Sequence, residues 1–346
     1  MTSTPPIPLS VLDISSIDTA GRPADTLAGT RRLVEAADRL GCTRFWVAEH
    51  HNSRGIAGSV PAVLLAALGE RAGRIRIGAG GVILPNHPPY AVAEAFRTLA
   101  ALFPDRVDLG IGRSGADPVL AHALRRAPEE DYPAALEELL RFLGDGFPAG
   151  HAYHRLEALP QPPRPPQAWL LGASVRSAVE AGRRGLPYAF AHHFFNSRGT
   201  EEALRAYREN FRPSARAERP HAIVTAFTVC GETSEQARRL AAPALFPVLR
   251  LDGAAPTAPL PTVEEAQAYP WTDAERAAAD ALLGAQAVGD AGEVRRALAD
   301  LLERTGADEL MVTNNVTDAD EKIRSLERVR EIADTLPVPA GVSARA

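Results

Sequence analysis

Short runs of β-branched and aromatic residues alternate eight times with stretches whose apolar residues recur at helical spacing. This alternation constrains the chain more than any other feature. It implies parallel strands joined by right-handed crossovers. Eight such units in somewhat more than the ~250 residues usual for the fold predict a single α/β domain over 1–346, a (β/α)8 TIM barrel with insertions. An open, doubly wound sheet is the alternative. Strands are expected at 9–14, 44–49, 75–84, 107–111, 168–171, 188–191, 223–229 and 309–313. A helix near 24–41 carries Leu27, Val34, Ala37 and Leu40 on one stripe and stops at Gly41, a residue suited to a helix C-terminus. Further helices are expected at 61–72, after Pro88 and Pro89, at 134–143, after Thr233, and at 319–336. The Gly- and Pro-rich stretch 144–166, after strand four, reads as one insertion. The partly helical segment 251–289, after strand seven, reads as another.

In such barrels the chemistry sits at the carboxyl ends of the strands. The unusual residues collect there: Glu49-His50-His51, Gly80-Gly81, Gly112-Arg113-Ser114, Gly172-Ala173-Ser174, His192-His193 and Asn314-Asn315. The turn from Gly172 to Ser177 joins a strand to a helix, where free N–H groups favour an anion. Ser174 and Ser177 add hydroxyls, and strands lie only about 4.8 Å apart, so Arg113 can reach the same anion. A plain serine N-cap beside a surface arginine is the alternative. Gly80-Gly81 interrupts a β-branched strand, as expected for close approach of a flat ligand or for a bulge.

Other readings fare worse. Gly110-Ile-Gly112-Arg-Ser-Gly115 matches a dinucleotide-binding pattern, but 116–143 contains no following strand, so that reading is rejected. Adjacent strand residues point to opposite faces, so His50 and His51 are poor co-ligands. A metal would also need Asp13, His192 or another strand, and no metal is expected. The formal charge of -5 has no basic stripe, so neither nucleic acid nor a membrane surface is an expected partner. No secretory leader is apparent, and the two cysteines, Cys42 and Cys230, lie in apolar sequence, which fits a cytoplasmic protein. Lysine occurs once, at Lys322, which reads as compositional bias toward arginine.

Several stretches together resemble the bacterial luciferase-like, flavin-dependent monooxygenase family. They are Trp46-Val-Ala-Glu-His-His51, Gly78-Ala-Gly-Gly-Val-Ile-Leu-Pro85, Asp108-Leu-Gly-Ile-Gly-Arg113 and Leu171-Gly-Ala-Ser-Val-Arg-Ser177, with 185–190 and 309–313. The resemblance runs from about Leu9 to Ala333. It implies a monooxygenase that takes reduced FMN from a separate flavin reductase and uses O2 to oxidise a small organic substrate. It implies that Arg113, Ser174 and Ser177 hold the FMN phosphate, with Ala173 in the same turn. It places a cis peptide between Gly80 and Gly81 beneath the flavin ring. His50 takes the place of the active-site histidine with Glu49 beside it, and Ala191 and His192 fall at the flavin edge. Pairing of outer helices in the family implies a homodimer. Gly112 stands where light-emitting members have cysteine, and Ala173 where an acidic residue is usual, so light emission is not expected. Relatives that bind a deazaflavin, or that hold flavin without catalysis, keep two further readings open.

Overall fold

The computed structural model describes residues 5–115, 117–195, 198–251 and 257–339. Nine strands occur among them: β1 Leu9–Asp13, β2 Arg44–Val47, β3 Arg76–Ile83, β4 Val107–Gly112, β5 Gln167–Gly172, β6 Tyr188–Phe190, β7 Ala222–Cys230, β8 Ala287–Gly289 and β9 Glu309–Thr313. All pairings between these strands are parallel. β1 through β7 run round in sequence order, β9 lies between β7 and β1, and the β6–β7 pairing completes the ring. The result is a closed eight-stranded barrel wrapped by helices, so the open-sheet alternative falls.

β8 is the strand the alternation did not predict. It pairs with the end of β7, Val229 opposite Val288, outside the ring. It belongs to the segment read as the second insertion, which also holds the helices Val263–Ala268 and Asp273–Gly284. Each of these helices opens with a Thr-x-x-Glu capping box, Thr262 with Glu265 and Thr272 with Glu275. The other long inter-strand stretch, between β4 and β5, is irregular from Gly146 to Pro166.

Elsewhere the local rules hold. The helix Pro23–Arg39 buries Leu33, Val34 and Ala37, and Gly41 follows it at φ +70°, a left-handed position that glycine adopts without steric cost. The second expected helix stops early, at Pro61–Gly69. The main apolar core lies between barrel wall and helix ring. A smaller cluster plugs the barrel interior, where Leu12, Trp46, Trp169, Ile223 and Met311 meet. Among the described residues no helix is long and apolar enough to cross a membrane.

Below that plug the barrel floor is closed by charge. Arg44 donates from Nε to Glu309 at 3.0 Å and from Nη1 to Asp108 at 2.8 Å. Asp108 also accepts from Arg76 and from the Trp46 indole. Glu309 is further bonded to His221 and Ser10. Burial would raise the Glu309 pKa, but the Arg44 charge and the His221 and Ser10 bonds outweigh it and hold it low. Apart from Trp46, these residues stand within the first two positions of their strands or, for His221, just before one, at the end away from the site.

Candidate active site

At the opposite end the strands open into a cavity of about 840 Å³. Of the ten residues given a role by the family resemblance, seven line it: Glu49, His50, Gly80, Gly81, Arg113, Ala173 and Ala191. Ser174, Ser177 and His192 do not.

Gly80 and Gly81 form a bare stretch of cavity wall. The peptide between them is cis, and the pairing with β4 shifts register between Ala79 and Val82. A side chain has no room: a Cβ on Gly80 would sit 2.9 Å from Leu12 and one on Gly81 2.9 Å from the Gly110 carbonyl oxygen. Their exposed backbone therefore offers a flat surface to whatever the cavity holds.

Arg113 follows β4. Its guanidinium lies over the Tyr132 ring, 5.5 Å from the centroid, and Nη1 meets the largely exposed Glu129 at 3.2 Å. Both contacts orient the side chain and leave most of its five donors for other use. Across from it, Ser174 caps the helix Val175–Arg183, its hydroxyl accepting the Ser177 N–H at 3.3 Å. The Ser177 hydroxyl donates to the Ser174 carbonyl at 2.8 Å and meets the Tyr188 hydroxyl at 2.9 Å. The serine N-cap therefore exists, and Ala173 stands between it and the cavity.

Glu49 is buried and joins three elements. Its Oε1 accepts from His51 at 2.7 Å and from His87 at 2.8 Å, and its Oε2 accepts the Ile83 N–H at 3.1 Å. Burial would raise the Glu49 pKa, but bonds from His87 and His51 outweigh it, so the carboxylate form is favoured. Because an ionised carboxylate can only accept, both imidazoles must donate through Nε2. These three ligand atoms lie within 4.8 Å of one another, close enough for metal ligands. The expectation that His50 and His51 are poor partners for one ion stands apart from this cluster, which uses His51 with His87. The hydrogen bonds already account for the arrangement.

His50 differs from these. Its Nδ1 is buried without a hydrogen-bond partner among the described residues. Burial lowers its pKa, Glu49 opposes this and His51 adds to it, so the ring is mainly neutral at pH 7. A neutral imidazole with an unengaged nitrogen is equipped to hold or move a proton.

Two residues were given no role from the sequence. His193, not His192, lines the cavity, with its Nδ1 2.6 Å from the Thr225 hydroxyl. His192 bonds to Thr200 instead, at 2.8 Å. β6 ends at Phe190, so strand alternation cannot be extended to 192 and 193. His87 lies past the short 3-10 turn Leu84–Asn86, where no periodicity applies. Its only signal in the sequence is that it stands two residues beyond the Gly78–Pro85 stretch.

With this geometry established, the relatives are informative. The model of the family described as luciferase-like monooxygenase matches residues 9–309. A protein named luciferase-like monooxygenase from Escherichia coli (strain K12) is 34% identical over 95% of this chain and 98% of its own length. The N-acetyl-S-alkylcysteine monooxygenase of Bacillus subtilis (strain 168) is 43% identical over 59% of this chain and 62% of its own. Among solved structures, apo-MsnO8 shares 35% identity at a TM-score of 0.85 over 96% of this chain and 98% of its own. The oxygenating constituent of 3,6-diketocamphane monooxygenase, in complex with FMN, and an F420-dependent secondary alcohol dehydrogenase share the fold at TM-scores of 0.71 and 0.63, with 19% and 13% identity. Their coverage is 96% and 95% of this chain, and 100% and 99% of theirs. The chain belongs to the luciferase-like monooxygenase family.

Proposed function

We propose that this protein is a two-component monooxygenase, binding reduced FMN delivered by a separate reductase and using O2 to oxidise a small organic substrate in the 840 Å³ cavity. The observation that carries this reading is a convergence. A side-chain-free wall at Gly80-Gly81, the cation Arg113 and an imidazole with an unpartnered nitrogen share one cavity. The residues fit a phosphorylated planar ring. Gly80 and Gly81 would lie against the ring, Arg113 would take the phosphate with Ala173, Ser174 and Ser177 at the helix start, and Ala191 would meet the ring edge. His192 would act at most from behind, through Thr200.

Bound reduced FMN would supply the two electrons that let O2 deliver one oxygen atom to substrate and one to water. The protein's own share is different. The apolar walls, among them Ile14, Ile56, Phe227 and Met311, exclude water from the reacting groups. His50 takes or holds the substrate's proton through its free nitrogen. Glu49 keeps the end of β3 in place through the Ile83 N–H, so the glycine wall does not shift.

The names of the monooxygenase relatives support this reading over its rival, hydride transfer with a deazaflavin, which the fold of the F420-dependent dehydrogenase keeps in view. Titrating the protein with FMN and with a deazaflavin, following flavin fluorescence, separates the two. Tight binding of the deazaflavin alone overturns the proposal. A homodimer is part of the proposal, with light scattering as its check.

A further inference from the structure

His193 carries a hydrogen-bonding pattern that assigns its tautomer. The Thr225 hydroxyl has one hydrogen, and it donates that hydrogen to the Phe190 carbonyl at 3.0 Å. A carbonyl cannot donate in return. With its hydrogen so used, the Thr225 oxygen, 2.6 Å from His193 Nδ1, is left to accept, which places the ring hydrogen on Nδ1, the tautomer that nitrogen NMR checks below. The lone pair is left on Nε2, which has no hydrogen-bond partner among the described residues. The ring lines the cavity and packs against Phe194, with centroids 4.4 Å apart.

The surroundings narrow what this nitrogen can meet. Of the described residues lining the cavity, the charged ones are Glu49 and Arg113, apart from the histidines. Glu49 is already engaged by three donors. Arg113 stands at the β4 end, assigned to the phosphate. The apolar lining includes Ile14, Ile56, Phe195 and Phe227, together with the exposed Phe194 and Val248. Against that lining a substrate carboxylate would lose water and meet no cation but Arg113 among the described residues.

We propose that His193 is a specificity-determining residue whose Nε2 accepts a hydrogen bond from the substrate, and that the substrate class is uncharged, largely apolar molecules bearing a hydroxyl or amide N–H donor. This rests on the reading of the cavity as the substrate site. Burial pushes the His193 pKa down to about 4, helped by His192 and His50, so the acceptor form persists at neutral pH.

Three thioethers of similar size test it: para-(methylthio)benzyl alcohol, its methyl ether and para-(methylthio)benzoate. Each is titrated calorimetrically into the protein with and without FMN. The alcohol is expected to bind about 3- to 10-fold more tightly than the ether, the range of one net hydrogen bond, and the benzoate more weakly than either. His193→Phe should erase the alcohol–ether difference. His193→Gln, which restores an acceptor oxygen, should recover part of it, and flavin titration checks that each variant is folded. Nitrogen NMR of histidine-labelled protein should show Nε2 of His193 unprotonated. Equal binding of alcohol and ether to the wild type, survival of the difference in His193→Phe, tightest binding of the benzoate, or no binding by any of the three overturns the assignment. Each thioether is then supplied with reduced FMN and O2, which together would give sulfoxide, FMN and water. Selective binding without sulfoxide leaves the His193 assignment standing and refutes the monooxygenase reading instead.

Discussion

The two ends of this barrel are built from the same kinds of residue and treat them in opposite ways. At the floor, Arg44, Arg76, Asp108, Glu309 and His221 form one interlocked network. At the mouth, among the described residues, His50 Nδ1 has no partner, His193 is bonded through one nitrogen only, and Arg113 has a single exposed carboxylate. Leaving a buried polar group unpaired costs about 1–3 kcal/mol. The Trp169 indole N–H, packed against Arg44, is unpaired as well, so it is an open nitrogen on a ring that lines the cavity, as in His50 and His193, that marks a group for a ligand.

The sharpest way to break that comparison is to exchange its consequences. Removing a mouth histidine should harm activity and spare stability. His50→Ala is expected to lower the rate of substrate oxidation by about 10²- to 10⁴-fold, the span usual for a general acid or base. Its urea midpoint should stay near wild type, because no hydrogen bond to Nδ1 is lost. Coupled oxidation at full rate in this variant would remove His50 from the chemistry.

Removing a floor arginine should do the reverse. Arg44→Ala strips one partner from both Asp108 and Glu309, each almost wholly buried. Breaking such a pair leaves uncompensated charge, and about 3–5 kcal/mol of unfolding free energy should be lost in urea titrations. Flavin binding per folded molecule should be unchanged. A loss below about 1 kcal/mol would mean that Arg76, His221 and Ser10 already suffice for the two carboxylates. Arg113→Ala sharpens the contrast with an arginine at the other end. Its ion pair with exposed Glu129 adds little stability. FMN affinity should nevertheless fall about 10- to 100-fold, as for loss of a charge-assisted bond to phosphate, and riboflavin, which lacks the phosphate, should bind both proteins alike.

The mouth was far more legible in the sequence than the floor, for a physical reason. Mouth residues sit where strands stop, so Glu49-His50-His51 and Gly80-Gly81 appear as runs that break the apolar pattern. Floor residues sit at strand starts. Arg44 and Glu309 are separated by 265 positions and look like ordinary polar residues flanking apolar runs. Only ring closure, which pairs β1 with β9, makes them neighbours. Lys322 teaches the same lesson: it read as an accident of composition, yet it forms an ion pair with the buried Asp13 at 3.0 Å. The turn after β6 misled differently: the resemblance put His192 at the flavin edge, whereas its neighbour His193 lines the cavity.

The smallest expected effect concerns acid, and it distinguishes the ends by the pH at which each gives way. His193 titrates near about 4 when folded, chiefly through burial, against ~6.5 in an unfolded chain. The unfolded chain therefore takes up a proton that the folded protein resists. Stability from this source is complete above pH ~6.5 and declines as pH falls toward about 4. His50 and His192, also lowered by burial, act in the same direction. Glu309 is a depressed carboxylate, so its contribution is intact above its unfolded pKa of ~4.3 and is lost only below that, as pH falls through the folded value. Acid should therefore loosen the mouth first and the floor second. One histidine can contribute a slope of at most about 1.4 kcal/mol per pH unit. His193→Asn should flatten the stability profile between pH ~6.5 and ~4.5 and leave the steeper loss below pH ~4.3 in place. An unaltered profile would show that the unfolded and folded states bind the His193 proton equally, and that this ring is solvated as the floor residues are not.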